Sequence, residues 1–219
     1  MWKRPDVQGI GYVASSNTGP VNEAPKFAKT MIRSKIDRYD SNIMKDYNKV
    51  LNDGAIYLPN FFEKTEERTI FDNLKAEIEA DETCERVEWS KHFKYENPTH
   101  LKTVNDVVKR MAEHFNITVL HCRLNYYKDE TSYKPLHKDQ NAYGPADTKG
   151  DFTAGASFGA TRALEFVHDK TKMKFEFPQN NGDVFSFNQE VNQAYMHGVP
   201  KTKKKVGERF SIIAWGKKN

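Results

Sequence analysis

An α+β domain, its strands forming a sandwich or jelly roll, is the fold class the sequence predicts, on three observations. Apolar residues recur every three or four positions through the first half of the chain. Beyond Asn116 the period shortens to two, in runs rich in β-branched and aromatic residues. Those runs are short and bounded by turn residues such as Asn180-Asn181-Gly182-Asp183, so helices come first and many strands follow.

The elements follow in order. The first 25 or so residues read as loop, punctuated by Gly9, Gly11, Ser15-Ser16-Asn17 and Gly19-Pro20. Between Phe27 and Leu51, Ile32, Ile36, Tyr39, Ile43 and Tyr47 form a helical stripe that Asp40-Ser41-Asn42 interrupts. Residues 1–50 are thus an N-terminal extension of loop plus helix, and residues 51–219 the main domain. Ala55–Leu58 is a short strand. A helix over 64–80 places Ile70, Leu74 and Ile78 on one face, with Glu66 and Glu67 in the first turn, where the macrodipole favours anions. Another runs from Leu101 through Val104, Val108 and Met111 to Phe115. Strands are then expected at Ile117–Tyr127, Phe152–Phe158, Arg162–Val167, Met173–Phe177, Asp183–Phe187, Asn192–His197 and Glu208–Trp215.

Composition narrows the class. The 219-residue chain has mass enough for a sizeable core, and its mean hydropathy is −0.81. No apolar run approaches the roughly 20 residues of a membrane helix, and the N-terminus lacks the apolar core of a secretory signal. Two cysteines, Cys84 and Cys122, make no disulfide framework. The expectation is an intracellular protein, cytoplasmic or nuclear, monomeric and without a membrane partner. Of the net charge of +4, residues 200–219 carry +6, from seven bases and Glu208, which leaves −2 elsewhere. That local field suits contact with a polyanion at one site.

His137-Lys138-Asp139 puts an imidazole and a carboxylate on one face of an extended segment, where both can bind one metal ion. His197 offers a third ligand, and two histidines with one carboxylate leave positions open for a co-substrate and O2 at Fe(II). The tripeptide alone is weak, since among seven histidines an aspartate two positions on is a common coincidence. A surface or N-cap Asp139 is the plainer alternative. The ordered set around it adds weight. Asn125 and Tyr127 share a face of the preceding strand, and Arg209 lies 12 residues after His197 on the last strand. Both faces of that strand carry large apolar residues, so an inward Arg209 must meet an anion, and the dicarboxylate 2-oxoglutarate is a fitting one. The alternative is a solvent-facing Arg209. His92, His100, His114, His121 and His168 read as ordinary surface or core residues.

The run "FNITVLHCRLNYYKDETSYKPLHKD" (115–139), with "GDVFSFNQEVNQAYMHGVP" and "GERFSIIAWGK", resembles the AlkB-type Fe(II)/2-oxoglutarate-dependent dioxygenases. The resemblance extends more loosely back to residues 55–80, and residues 1–50 match nothing in it. It implies a double-stranded β-helix (jelly-roll) core with N-terminal helices packed on one sheet. It also implies Fe(II) bound by the catalytic residues His137, Asp139 and His197, 2-oxoglutarate held by Asn125, Tyr127 and Arg209, and O2 as second co-substrate. The reaction it implies couples conversion of 2-oxoglutarate to succinate and CO2 with hydroxylation of a methyl group. On a base nitrogen the product loses formaldehyde, the chemistry of DNA repair; on carbon the hydroxyl stays.

Two positions depart from the family. Trp215 stands where a second arginine is usual, six residues after Arg209, and is expected to point inward at the co-substrate. Asn141 replaces the acid often found two residues after the metal aspartate, which disfavours cationic methylated bases because an amide cannot neutralise a cation. Lys203, Lys204 and Lys205, between His197 and Arg209, are expected on phosphates. Trp89, Phe93 and Tyr95, interleaved with basic residues, are expected to stack a base, and an amphipathic strand on a core would look the same. The expected activity is oxidation of methyl or alkyl groups on DNA or RNA bases. The alternatives are a hydroxylase of a protein or small molecule in the same superfamily, and a nucleic-acid-binding module with a degenerate site.

Overall fold

A computed structural model describes residues 54–81, 85–140 and 149–219, without the side chains of residues 85 and 86. The expected extension and its helix, Cys84 and Asn141 lie outside the described residues. Within them the elements are β1 (Ala55–Leu58), α1 (Lys64–Glu79), β2 (Glu85–Val87), β3 (His92–Glu96) and α2 (Lys102–Phe115), followed by β4 (Ile117–Tyr127), β5 (Lys134–His137) and β6 (Phe152–Gly159). The chain continues through β7 (Leu164–His168), β8 (Lys174–Phe177), β9 (Val184–Asn188), α3 (Gln189–Ala194), β10 (Tyr195–Val199) and β11 (Arg209–Lys218). Seven strands form one antiparallel sheet, β1-β9-β6-β11-β4-β3-β2, and four form a second, β5-β10-β7-β8. This is the expected jelly roll, with helices packed on one sheet. No helix among the described residues is long and apolar enough to cross a membrane.

Strand alternation divides the core in two. On β11, Phe210, Ile212 and Ala214 join Ala154, Ala156 and Phe158 of β6 under α1 and α2, which contribute Leu74, Val104, Val107 and Met111. The opposite parity, Arg209, Ser211, Ile213 and Trp215, turns inward toward the second sheet. There Leu164, Phe166, Phe175 and Phe177 pack on Phe185 and Phe187. Gly155 permits the tight inner packing: a Cβ there would come within 2.4 Å of the Phe185 ring and 2.8 Å of Ile213.

The helices are fixed by local chemistry. α1 starts with a reciprocal cap, in which the Glu63 N–H donates to the Glu66 carboxylate at 3.3 Å. The start of α2 has no cap of its own, and Glu77 of α1 accepts from the Thr103 N–H and hydroxyl instead, at 3.0 and 2.6 Å. Asn116 ends α2 in the left-handed region, at φ 50°.

Several stretches differ from the sequence reading, among them the strand β2 at Glu85–Val87, which it did not expect. The strand expected at Asn192–His197 begins only at Tyr195, and the residues before it form α3. Asn188 caps that helix by accepting the Val191 N–H at 3.0 Å. Lys134–His137, left between elements by the sequence reading, is the edge strand β5, where Pro135 is tolerated because an edge residue needs no second ladder bond.

Candidate metal centre

Two strands bring the three ligand candidates together. In the register of β5 and β10, His137 lies opposite His197, and Asp139 follows just past the end of β5. Their ligand atoms all lie within 4.8 Å of one another, the one such group of His, Cys, Asp and Glu side chains among the described residues. Asp139 Oδ1 lies 3.6 Å from His137 Nε2 and 3.4 Å from His197 Nε2. The other carboxylate oxygen is already engaged. Oδ2 accepts from the Thr153 hydroxyl at 3.0 Å and from the Trp215 indole N–H at 2.9 Å. The carboxylate is thereby turned so that Oδ1 faces both imidazoles.

Further contacts prepare the ligands. His137 Nδ1 lies 2.9 Å from the Pro135 carbonyl, which can only accept, so Nδ1 carries the proton and Nε2 presents a lone pair. Asn192 grips the Asp139 backbone both ways, accepting its N–H at 2.9 Å and donating to its carbonyl at 3.0 Å. Burial pushes the Asp139 carboxyl up, but the charges and hydrogen bonds of His197 and His137 outweigh it and hold the group well below the usual range. Burial lowers His197 against the opposing pull of Asp139, which favours the neutral, metal-binding imidazole.

The triad opens on a narrow cavity of about 30 Å³, bounded by Asn125, Tyr127, Arg209, Ser211 and Trp215 on the large sheet. Arg209 is 1 % exposed. Its Nε donates to Ser157 Oγ at 2.9 Å and one Nη to Gln179 Oε1 at 2.7 Å, while the Tyr127 ring centre lies 5.0 Å from the guanidinium carbon. Nη1 has no partner, and among the described residues no carboxylate forms an ion pair with this cation. Burial lowers the guanidinium to about 10, yet it stays charged at neutral pH. A buried guanidinium with an open donor, facing three metal-type ligands across one cavity, fits a metal-bound dicarboxylate. Asn125 also keeps an unpartnered buried oxygen, Oδ1.

The remaining expectations divide. Trp215 does point into the cavity, but its N–H is spent on Asp139 rather than left for a co-substrate. Phe93 and Tyr95 do not line the cavity. Tyr95 is buried in the helix-side core and Phe93 packs against it beside Tyr126, because their parity on β3 faces the helix layer. The alternation puts His92 on the other side, against Tyr127 at 5.4 Å. Trp89 is 61 % exposed, and its carbonyl accepts from the Tyr133 hydroxyl at 2.7 Å. Lys203, Lys204 and Lys205 are exposed in the β10–β11 loop, which also carries Lys201 over the Tyr133 ring at 4.4 Å.

Sequence reasoning missed Thr153, Asn192, Ser157, Gln179 and Lys134. The first four reach the site by tertiary proximity from other segments, and Lys134 precedes His137 by three on β5, but no local spacing marks any of them. Asn192 alone had an available signal, the Asn188 cap that makes its segment helical.

Residues 81–214 match the family profile of the 2OG-Fe(II) oxygenase superfamily. The chain is 26 % identical over 111 residues to an uncharacterized protein of Acanthamoeba polyphaga mimivirus, and the match spans 56 % of that protein's length. Among solved structures, the non-heme alpha-ketoglutarate dependent epimerase SnoN from nogalamycin biosynthesis is similar over 80 % of this chain and 82 % of its own, with TM-score 0.61 and 12 % identity. A Trichoplax adhaerens prolyl hydroxylase, in complex with a hypoxia inducible factor peptide fragment, has TM-score 0.59 at 10 % identity over 82 % of this chain and 94 % of its own. A prolyl-4-hydroxylase of Pseudomonas putida has TM-score 0.58 at 10 % identity, over 81 % and 99 %. At such identities the likeness shows the fold.

Proposed function

The chain belongs to the 2OG-Fe(II) oxygenase superfamily, and on that premise we propose that it oxidises methyl or alkyl groups on nucleic-acid bases, as the AlkB branch does. Bound Fe(II) with 2-oxoglutarate and O2 supplies the oxidising chemistry, yielding succinate and CO2 alongside a hydroxylated substrate. His137, Asp139 and His197 hold the metal. Thr153 and Trp215 keep Asp139 Oδ2 occupied, so that Oδ1 is the oxygen offered to it. Arg209 takes the distal carboxylate of 2-oxoglutarate through its open Nη1, with Asn125 and Tyr127 beside it. Phe185 and Phe187 give the cavity an aromatic wall.

One observation carries the choice of substrate. Trp89, Tyr133 and Lys201 form a connected rim, and the exposed lysines 203–205 follow in the same loop. Tyr133 is also the neighbour of Lys134 in the cavity wall. An exposed indole and a lysine-bearing loop, linked through Tyr133, suit a stacked base with flanking phosphates. A peptide or small molecule would not need that charge.

A screen of oligonucleotides bearing methylated bases, read for succinate and formaldehyde with His137→Ala as control, tests the reading. Turnover above the control on a nucleic acid, weakened by Lys203→Ala/Lys204→Ala/Lys205→Ala and with a flatter salt dependence, is the expected result. Turnover of peptides or small molecules alone would transfer the activity to the other branch of the superfamily.

A further inference from the structure

A second buried guanidinium lies outside the metal cavity, and nothing in the proposed reaction uses it. Arg162 stands in the short connection between β6 and β7 and is 4 % exposed. One of its nitrogens, Nη2, donates to two backbone carbonyls, those of Ser132 and Pro200, each at 2.9 Å. The other, Nη1, has no partner, and among the described residues no carboxylate forms an ion pair with this cation. The Tyr127 ring centre lies 6.0 Å from its guanidinium carbon. A buried cation without an anion is costly, and an apolar residue of similar volume often serves stability as well. The two hydrogen bonds point to another role, because they end on different loops.

Ser132 belongs to the β4–β5 loop and Pro200 to the β10–β11 loop. Ser132 is fully buried, and its hydroxyl donates to the Lys91 carbonyl at 2.9 Å. Tyr133, next to it, donates its N–H to the Ser90 carbonyl at 2.9 Å and its hydroxyl to the Trp89 carbonyl. The β4–β5 loop thus grips the turn that carries the exposed indole. Pro200 immediately precedes Lys201, whose ammonium lies 4.4 Å from the Tyr133 ring centre, and lysines 203–205 follow. We propose that Arg162 is a positioning residue for the substrate rim: its Nη2 ties the Tyr133 loop to the lysine loop, so that the Trp89 indole and the lysine ammoniums are set in place before nucleic acid arrives. The proposal rests on the reading of this rim as the substrate surface. Pre-organisation of this kind removes an ordering cost from binding. Losing the tie should weaken oligonucleotide binding about 10-fold, the low end for a hydrogen bond to a charged group.

The test measures binding of a fluorescein-labelled single-stranded DNA oligonucleotide by anisotropy, on the full-length protein loaded with Mn(II) and 2-oxoglutarate without O2. Arg162→Met is expected to weaken binding about 10-fold in the parent. Once Lys201, Lys203, Lys204 and Lys205 are all replaced by alanine, the same change should cost less than about twofold, since a residue acting through that loop loses its effect with the loop's charges. Arg162→Lys, which can still donate to both carbonyls, should recover part of the loss. No loss in the parent would overturn the proposal. So would a loss of equal size in both backgrounds, which would assign Arg162 to the general stability of the fold. Trypsin supplies a reading that needs no nucleic acid. Cleavage after the lysines of the β10–β11 loop should be faster in Arg162→Met than in the parent, and the Tyr133 amide should exchange faster with solvent. Unchanged cleavage and exchange would overturn the tie even if oligonucleotide binding fell. A parent that binds no oligonucleotide, with both accelerations present in the variant, would refute the nucleic-acid reading while upholding the tie between the loops.

Discussion

The two faces of the large sheet are built from the same strands and obey opposite rules. Toward the helices, β11 presents Phe210, Ile212 and Ala214 to a layer of buried apolar side chains. Toward the second sheet it presents Arg209, Ser211 and Trp215, around a cavity where Arg209 Nη1, Asn125 Oδ1 and His197 Nδ1 lack partners. Native interiors leave few such groups unsatisfied. Three of them around one cavity mark the surface kept ready for ligands, while the helix face supplies the stability that tolerates them.

Substitutions that act on one face alone sharpen the contrast. The largest effect belongs to Arg209→Met, which should weaken 2-oxoglutarate by about 100-fold, the upper range for a buried charge-assisted contact. Its effect on thermal stability should be smaller than that of a helix-face truncation, because it also removes an unpaired buried charge. Met111→Ala, in the fully buried helix layer, should do the reverse. It should cost about 2–5 kcal/mol of stability in denaturant unfolding and leave co-substrate affinity of the folded protein close to that of the parent. Equal losses of affinity in both variants would dissolve the distinction.

Trp215→Phe probes the contacts one step behind the metal. It leaves an aromatic ring near Arg123, whose guanidinium carbon lies 5.2 Å from the indole, and removes the N–H from which Asp139 Oδ2 accepts, together with part of the ring's volume. Metal affinity measured by Mn(II) titration should fall by about 10-fold, the lower end for a group that orients a ligand. If 2-oxoglutarate affinity fell instead while the metal bound as before, the indole would belong to the co-substrate after all.

The helix face was largely legible in the sequence because periodicity reports burial. Leu74, Ile78, Val104 and Met111 stand at helical spacing, and Phe210, Ile212 and Ala214 share one parity of β11. The candidate metal triad and the buried arginine stood out for a different reason: His137 and Asp139 are neighbours in sequence, and Arg209 is a charge inside an apolar strand. What escaped was whatever depends on two distant segments meeting. Gln179 reaches Arg209 from beyond β8, and Asn192 reaches Asp139 from a six-residue helix too short for a periodic pattern. Phe93 and Tyr95 were misassigned because alternating basic and aromatic residues describe a core-facing strand as well as a stacking platform. Only the pairing of β3 with β4 decides between them.

The most direct trial of a triad and an arginine sharing one cavity is thermal unfolding with Mn(II) and 2-oxoglutarate, each alone and together. Ligands that bind the native state raise its melting temperature. Mn(II) should stabilise the parent protein, and 2-oxoglutarate should add a further rise only when the metal is present. His137→Ala should lose both rises. Stabilisation by 2-oxoglutarate without metal, or metal stabilisation that survives His137→Ala, would contradict a shared centre.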